Sequence, residues 1–339
     1  MSRTDAIGDV VLTLPLAGMI KRRFPECEVW FLVRKYVRPV VDACPHVDGA
    51  VEWDELERAP VAIAGRVLAE VGADVILHVF PVRHIARAAV RARIPRRIGT
   101  NRRWFHLLTC TDLVNFSRRR SDLHEAELNL KLLGPLGIDA DVHLPDVLDD
   151  LALEPGAAAS EGVGQWIDPV RFNLVLHPGS RGNGREWPEG HYLELAASLA
   201  EADFRVMVTG TAEEGRRFTR LCGGDREGEG GGVADLTGRL DLTQLMALLE
   251  LADGVIASGT GPLHLAAAVG TRTLGIFPTR AGTVGTNRWG PVGRRAEYVV
   301  HQDQCADCPG GVTCPCMAAI DVGQVRQVVR RWYETAEAS

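Results

Sequence analysis

The chain predicts an α/β protein built from two doubly wound parallel-sheet domains, and three observations carry that prediction. Apolar runs of strand length alternate with helical stretches in both halves, the mark of βαβ units and parallel sheets. The length of 339 residues fits about two domains of ~100–200 residues each. Residues 145–170 shift in composition, with Pro145, the Asp149-Asp150 pair, Pro155-Gly156 and an alanine run. The boundary is expected near 155–165, giving Rossmann-like domains at 1–158 and 159–320 and a closing helix at 321–339. Such folds bind ligands at the carboxyl ends of their strands, so a cleft between the two sheets is the expected site.

In the N-terminal half, Asp5 to Pro15 opens with a glycine turn at Gly8. A helix then runs to about Arg23 with Val10, Val11, Leu14, Ala17 and Ile20 inward. Residues 28–33, 49–53 and 74–79 read as strands, and 37–44 and 62–71 as helices between them. Ile94–Ile98 is followed by an arginine-rich loop, and residues 124–136 form a helix closed by Gly137. Asp139-Ala140-Asp141 matches a metal-binding Asp-x-Asp pattern, but its place just before the linker marks it as a chance match.

The C-terminal half restarts the alternation. A strand at 172–176 leads into the loop His177 to Glu189, a helix follows at 191–200, and a strand at 205–208 ends in the turn Gly210 to Glu214. The tract Gly223–Gly232 reads as a flexible surface loop, 242–251 as a helix, 273–277 as a strand and 322–336 as the last helix. Between them lies the most informative stretch. Asp253–Ala257 is an apolar strand, Ser258 to Pro262 a glycine-rich turn, and Leu263 to Val269 an Ala-rich helix closed by Gly270. Strand, glycine turn and helix together aim backbone N–H groups and a positive dipole end at an anion. Ser258 and Thr260 add hydroxyls, and His264 falls in the first turn; a buried core histidine is the plainer reading of the last.

The net charge of −6 is unevenly spread. Between Arg83 and Arg120 lie eleven arginines and one acid, Asp112, so this island carries +10 and the rest −16. A basic island on an acidic protein points to an anionic partner, although a solvated arginine face is the plainer alternative. Sparse aromatic interleaving (Trp104, Phe105) disfavours single-stranded nucleic acid. No signal peptide and no run of 18 apolar residues is seen, so a cytosolic protein, with some contact to a membrane surface, is expected. Eight cysteines in such a chain read as thiols or metal ligands. Cys305, Cys308, Cys314 and Cys316 have the number for a structural zinc, but Cys-x-Cys is tighter than the usual spacing. Free thiols are the alternative.

Several motifs then agree. Ile7-Gly8-Asp9-Val10-Val11 with Thr13 and Pro15, His124-Glu125 with Asn129-Leu130, and His177-Pro178-Gly179-Ser180 with Arg185 and Trp187-Pro188 occur in order. They are followed by Gly259-Thr260-Gly261-Pro262-Leu263-His264-Leu265-Ala266-Ala267 and by Cys305 to Ile320. Over nearly its whole length the chain resembles the family 9 glycosyltransferases, the ADP-heptose:lipopolysaccharide heptosyltransferases, whose architecture is the two-domain GT-B form. The resemblance implies a metal-independent, inverting transferase that needs no cofactor. Its C-terminal domain would bind a nucleotide-activated sugar, ADP-heptose first, and its N-terminal domain an anionic glycolipid or oligosaccharide acceptor. Glycosyl transfer needs a base for the acceptor hydroxyl, and Asp9 is the candidate; capping of the following helix is its alternative role. Arg185 and the His177–Gly184 loop would neutralise the departing diphosphate. Gly8, Ser180, Glu214 (or Glu213), Gly259, Thr260, Gly261 and His264 would hold the donor, with Glu214 at the ribose. Arg93, Arg96, Arg97, Arg102 and Arg103 would meet the acceptor. Two positions depart from the family pattern. Gly259 stands where the family usually carries Asp near the donor sugar and phosphates. Arg185 stands where Lys is frequent, a change that favours planar, bidentate phosphate contacts. Two rival readings follow: a relative with another donor sugar, and a non-catalytic nucleotide- or glycan-binding relative.

Overall fold

The computed structural model describes residues 1–140, 143–182, 184–200, 203–219, 233–302 and 314–337. It divides into two compact units, Met1–Glu154 and Pro155–Ser339. The division falls just ahead of the expected boundary because the Ala157–Val163 helix packs on the Leu242–Leu251 helix of the second unit. The last tie to the first unit is the Glu154 N–H donating to Ala43 O at 2.8 Å. Asp141 and the 223–232 tract lie outside the described residues.

The first unit holds β1 (Trp30–Val33), β2 (Gly49–Glu52), β3 (Val75–Leu77), β4 (Arg96–Thr100) and β5 (Asp112–Val114), all parallel. Ser2 bridges in parallel to both Leu32 and His78. Arg3 N–H donates to Leu32 O at 3.0 Å and Ser2 N–H to Leu77 O at 2.9 Å. The chain start is therefore the central strand, and the order across the sheet is β2, β1, start, β3, β4, β5. Taken by position in the chain this is 3-2-1-4-5-6, whose direction of winding reverses beside the first strand. Apolar side chains cover both faces. Leu16, Met19, Leu128 and Leu132 lie on one, and Trp53, Ala64, Leu68, Ile85 and Ala89 on the other.

The second unit repeats the plan with β6 (Phe172–His177), β7 (Phe204–Val208), β8 (Val233–Asp235), β9 (Gly254–Ser258), β10 (Arg272–Thr279) and β11 (Ala296–Gln302). The order β11-β10-β9-β6-β7-β8 is again 3-2-1-4-5-6, with its reversal between β6 and β9. Every residue of β6 and β9 is buried, as expected of parallel strands covered on both sides. The final helix, Val322–Glu337, is not a separate appendage. Val322, Val325, Val329 and Trp332 are part of the same core as Leu174, Leu195 and Val206. The Trp332 indole N–H donates to Glu297 Oε1 at 2.8 Å, and its ring lies so close to Gly254 that a Cβ there would sit 2.9 Å away.

Three local expectations change. Gly8 is not a turn: it lies inside a short helix, Ile7–Val11, and a second helix, Leu14–Arg23, follows after a break. Pro15 has no N–H for the Val11 carbonyl, so one continuous helix would lose a bond; Thr13 at the break donates its hydroxyl to Asp9 O at 2.8 Å. Arg83–Arg91 is a helix the sequence reading did not identify, with Ile85, Ala86, Ala88 and Ala89 inward. The 124–136 segment is helical over Glu125–Leu130 but tightens into a 3-10 turn at Lys131–Leu136, where Pro135 interrupts it. It closes as expected on Gly137, at φ +73°.

Candidate active site

In a sheet of this order the loops at the reversal point form the natural ligand site, and both units place candidate residues there. In the first unit the chain leaves its central strand and enters the Ile7–Val11 helix, with Asp9 in the first turn. Asp9 caps neither helix, since the N-cap positions are Ala6 and Thr13. Its carboxylate instead pairs with Arg3 and stays one-fifth exposed. Gly8 is buried beside it.

Beneath Asp9 lies an ion network that sequence reading missed. Arg3, only 2% exposed, reaches Asp5 at 2.8 Å, Glu125 at 3.1 Å and Asn129 at 3.3 Å. Arg118 meets the same Glu125 and Asn129, each at 2.8 Å, and the Val79 carbonyl at 3.0 Å. Asn129 spends its amide on Leu12 O at 3.0 Å, which ties the network to the helix break. A cation this deep needs compensating charge. Burial pulls the Arg3 proton affinity down, but Asp5, Asp9 and Glu125 outweigh it and hold it above the ordinary arginine value. Burial pushes Asp5 the other way, up to about 7 against the pull of Arg3. A charged residue inside an otherwise strand-like opening segment was the available signal.

In the second unit, β9 ends at Ser258 and Thr260 begins the Gly261–Ala268 helix. Thr260 does not cap that helix with its side chain. Its hydroxyl is buried and has no hydrogen-bond partner among the described residues. Beside it, the loop after β6 is held against β9. The Trp187 N–H donates to Ser258 Oγ at 3.1 Å, and a Cβ on Gly184 would come within 2.7 Å of Gly259 O. Arg185 lies between these two contacts, half-buried, so chain connectivity keeps it beside the helix head. The Trp187 ring packs edge-on against Tyr192, and its indole N–H donates to Ile320 O at 3.0 Å. Trp187 fixes the loop, and Ser258 is used in doing so. His264 is buried in the helix. Gly259 has a steric partner: a Cβ there would lie 2.7 Å from Phe277 Cε1, so the ring occupies the space a side chain would need.

Two expected donor contacts are already engaged. Ser180 gives its N–H and hydroxyl to Glu186 Oε1, at 2.7 and 2.8 Å. Glu214 accepts the Thr211 N–H and hydroxyl at 2.7 and 2.8 Å and the Arg181 N–H at 3.3 Å. Burial raises the Glu214 pKa, but these bonds and His177 outweigh it and leave the carboxyl below its usual range. His177 itself is driven down to about 4 by burial. Glu213 stays exposed, and together with Glu214, Thr211, Arg181 and Arg217 it lines an open cavity of about 1270 Å³.

The arginine island does not form one patch. Arg93, at φ +57°, and Arg96 and Arg97 lie at the amino end of β4, away from Asp9. Arg96 pairs with Asp112 at 3.0 Å and donates to Pro135 O, while Arg97 donates to the Thr109 and Ile94 carbonyls. Arg102 and Arg103 leave the carboxyl end of β4, the Asp9 side, and both are exposed. Of the cysteine cluster, Cys314 is buried and Cys316 accepts from Gln302 Nε2 at 3.3 Å; Cys305 and Cys308 lie outside the described residues. Among the described residues no group of three or more His, Cys, Asp or Glu could hold a metal.

Two parallel sheets of this order in one chain define the class: a protein of two-domain GT-B form. A glycosyltransferase family 9 (heptosyltransferase) family model matches residues 82–314. Lipopolysaccharide heptosyltransferase 1 of Pseudomonas aeruginosa is 31% identical over 170 residues, 50% of this chain and 43% of its own. Lipopolysaccharide heptosyltransferase 2 of Salmonella typhimurium is 23% identical over 78% of this chain and 77% of its own. Among solved structures, ADP-heptose lipopolysaccharide heptosyltransferase II of E. coli superposes with a TM-score of 0.77 at 18% identity, covering 99% of this chain and 98% of its own. The chain belongs to glycosyltransferase family 9.

Three outcomes test this geometry. Arg3→Met takes the shared cation from Asp5 and Asp9 and leaves Glu125 to Arg118 alone, and should cost the first unit about 3–5 kcal/mol in chemical denaturation. Between its unfolded value of 3.8 and its folded value of about 7, Asp5 binds more proton when folded. Its contribution is therefore present at low pH and lost as pH rises through that window. Asp5→Asn, facing the same Arg3, Asp9 and Glu125, should thus gain melting temperature over the parent as pH rises. Gly259→Asp should lose about 1–3 kcal/mol by overpacking, and Phe277→Leu in the same chain should restore part of it.

Proposed function

We propose that this chain transfers a heptose from ADP-heptose, with inversion, to an anionic lipopolysaccharide-core-type acceptor, without a metal. The observation that supports it best is the unspent Thr260 hydroxyl at the head of a helix, beside the loop that carries Arg185. Helix N-termini favour anions, and a diphosphate leaving group is one. Thr260, Gly261, His264 and the backbone at Gly259 would cradle the diphosphate, and Arg185 would pair with it as charge develops. The cavity beside Thr211, Glu213 and Glu214 has room for the nucleoside, with Glu213 toward the ribose hydroxyls and Glu214 shaping the wall.

In the reaction Asp9 takes the proton of the acceptor hydroxyl. The hydroxyl oxygen forms the new bond to the anomeric carbon from the face opposite the diphosphate, and the anomeric carbon–oxygen bond breaks. Nucleoside diphosphate departs with the electron pair, stabilised by preorganised N–H donors and Arg185. Arg3 holds Asp9 in place, and Arg102 and Arg103 are the arginines available to acceptor phosphates or carboxylates. Two solved structures of one relative point the same way: the E. coli heptosyltransferase WaaC with ADP and with ADP-2-deoxy-2-fluoro heptose. Gly259 and the Phe277 ring behind it favour a second reading, in which the donor carries a different sugar.

Calorimetric titration with ADP, UDP and GDP tests the donor. ADP should bind best, and Arg185→Ala should weaken it about tenfold or more. Preference for UDP or GDP overturns the heptose assignment, and binding of none supports a non-catalytic relative. Asp9→Asn should keep ADP affinity while turnover falls about 10²–10⁴-fold.

A further inference from the structure

The Arg83–Arg91 helix turns Arg83, Arg87 and Arg91 outward, opposite its buried Ile85, Ala86, Ala88 and Ala89. Packed beside it is the segment that follows β4. There Trp104 is 59% exposed, Leu107 57% and Leu108 78%. Three large apolar side chains this exposed within five residues are unusual on a soluble surface. The Arg83 guanidinium lies over the Trp104 ring at 4.8 Å, which joins the cationic and apolar parts into one face.

The segment is held firmly. His106 is fully buried, with Nδ1 3.0 Å from Thr100 O. The Phe105 ring packs edge-on against both Trp104 and His106, and the Thr109 hydroxyl donates to Phe105 O at 2.7 Å. The apolar side chains are thus presented by a fixed scaffold, with little ordering left to be lost on docking. The acid of the 83–120 segment, Asp112, is tied to Arg96, so this stretch offers no unpaired carboxylate to repel an anionic surface.

We propose that this face docks on an anionic lipid bilayer, with Trp104, Leu107 and Leu108 entering the headgroup boundary and the surrounding arginines meeting lipid phosphates. Tryptophan favours the interfacial layer, aliphatic side chains gain by leaving water for acyl chains, and arginines are drawn to the negative surface potential. A nucleic-acid strand would use the cations but leave Leu107 and Leu108 without a stacking partner. The proposal does not rest on the transfer reaction, because it needs neither donor nor acceptor.

The test is co-sedimentation of the full chain with phosphatidylcholine vesicles, with and without phosphatidylglycerol. The parent should bind the phosphatidylglycerol vesicles, and binding should fall on pure phosphatidylcholine and with added salt. Leu107→Ser with Leu108→Ser, both at exposed positions, should leave the melting temperature unchanged and weaken vesicle binding about tenfold or more. Brominated acyl chains should quench parent tryptophan fluorescence more than that of Trp104→Phe. Absence of binding to phosphatidylglycerol vesicles overturns the proposal, as does equal binding by the double variant. A parent dimer that the double variant abolishes, without vesicle binding, assigns the face to a second copy instead and also overturns it.

Discussion

A guanidinium buried three residues from the chain start sets the conditions for the whole N-terminal site. Arg3 sits on the central strand, where the sheet's winding reverses, and at 2% exposure bulk solvent does little to compensate its charge. The fold must bring acids to it, and it does so from two directions: Asp5 and Asp9 from the loop that follows, Glu125 from a helix 122 positions away. Arg118 braces Glu125 from the other side. A carboxylate held this way has a defined position and orientation, which a general base requires. Buried ion pairs are poor sources of net stability; what this one supplies is geometry at the point where the sheet topology opens a crevice.

The second unit solves the matching problem with backbone. Its central strands β6 and β9 are buried throughout, and it is their carboxyl ends, His177 and Ser258, that lead into the site. Ser258 and Trp187 link the two loops, Gly184 and Gly259 let their backbones approach, and the Thr260 hydroxyl has no hydrogen-bond partner among the described residues. Neutral donors and a helix end suit an anion that arrives and leaves, because they need no permanent countercharge when empty. One unit therefore stores charge and the other leaves donors open, on the same strand order.

The inner strands of the second unit, β6, β7, β9 and β10, were legible because parallel strands buried on both faces read as continuous apolar runs, and the 253–270 stretch because its glycines and Pro262 punctuate it. β5, β8 and β11, at sheet edges and more polar, were not assigned. The Arg83–Arg91 helix was not, since arginines alternating with alanines hide its inward stripe. β4 was not assigned as a strand, since two arginines open it and their partners, Asp112 and the carbonyls of Ile94 and Thr109, become adjacent only in the folded sheet. Site residues divided the same way. Thr260 and Asp9 stood out by local pattern, whereas the engagement of Ser180 by Glu186 and of Glu214 by Thr211 is a matter of side-chain direction. The Arg3 network joins residues far apart in the chain, and no local window contains it.

The tie between Trp187 and Ile320 spans 133 residues, and it has a consequence for synthesis. A chain emerging from the ribosome from its N-terminus can complete the Arg3 network once residue 129 is out. The loop that bears Arg185 has to wait until Ile320 and the first residues of the closing helix appear, because until then its anchoring indole has no carbonyl to meet. The half that would hold the nucleotide thus becomes competent after the N-terminal half, once residue 320 has emerged.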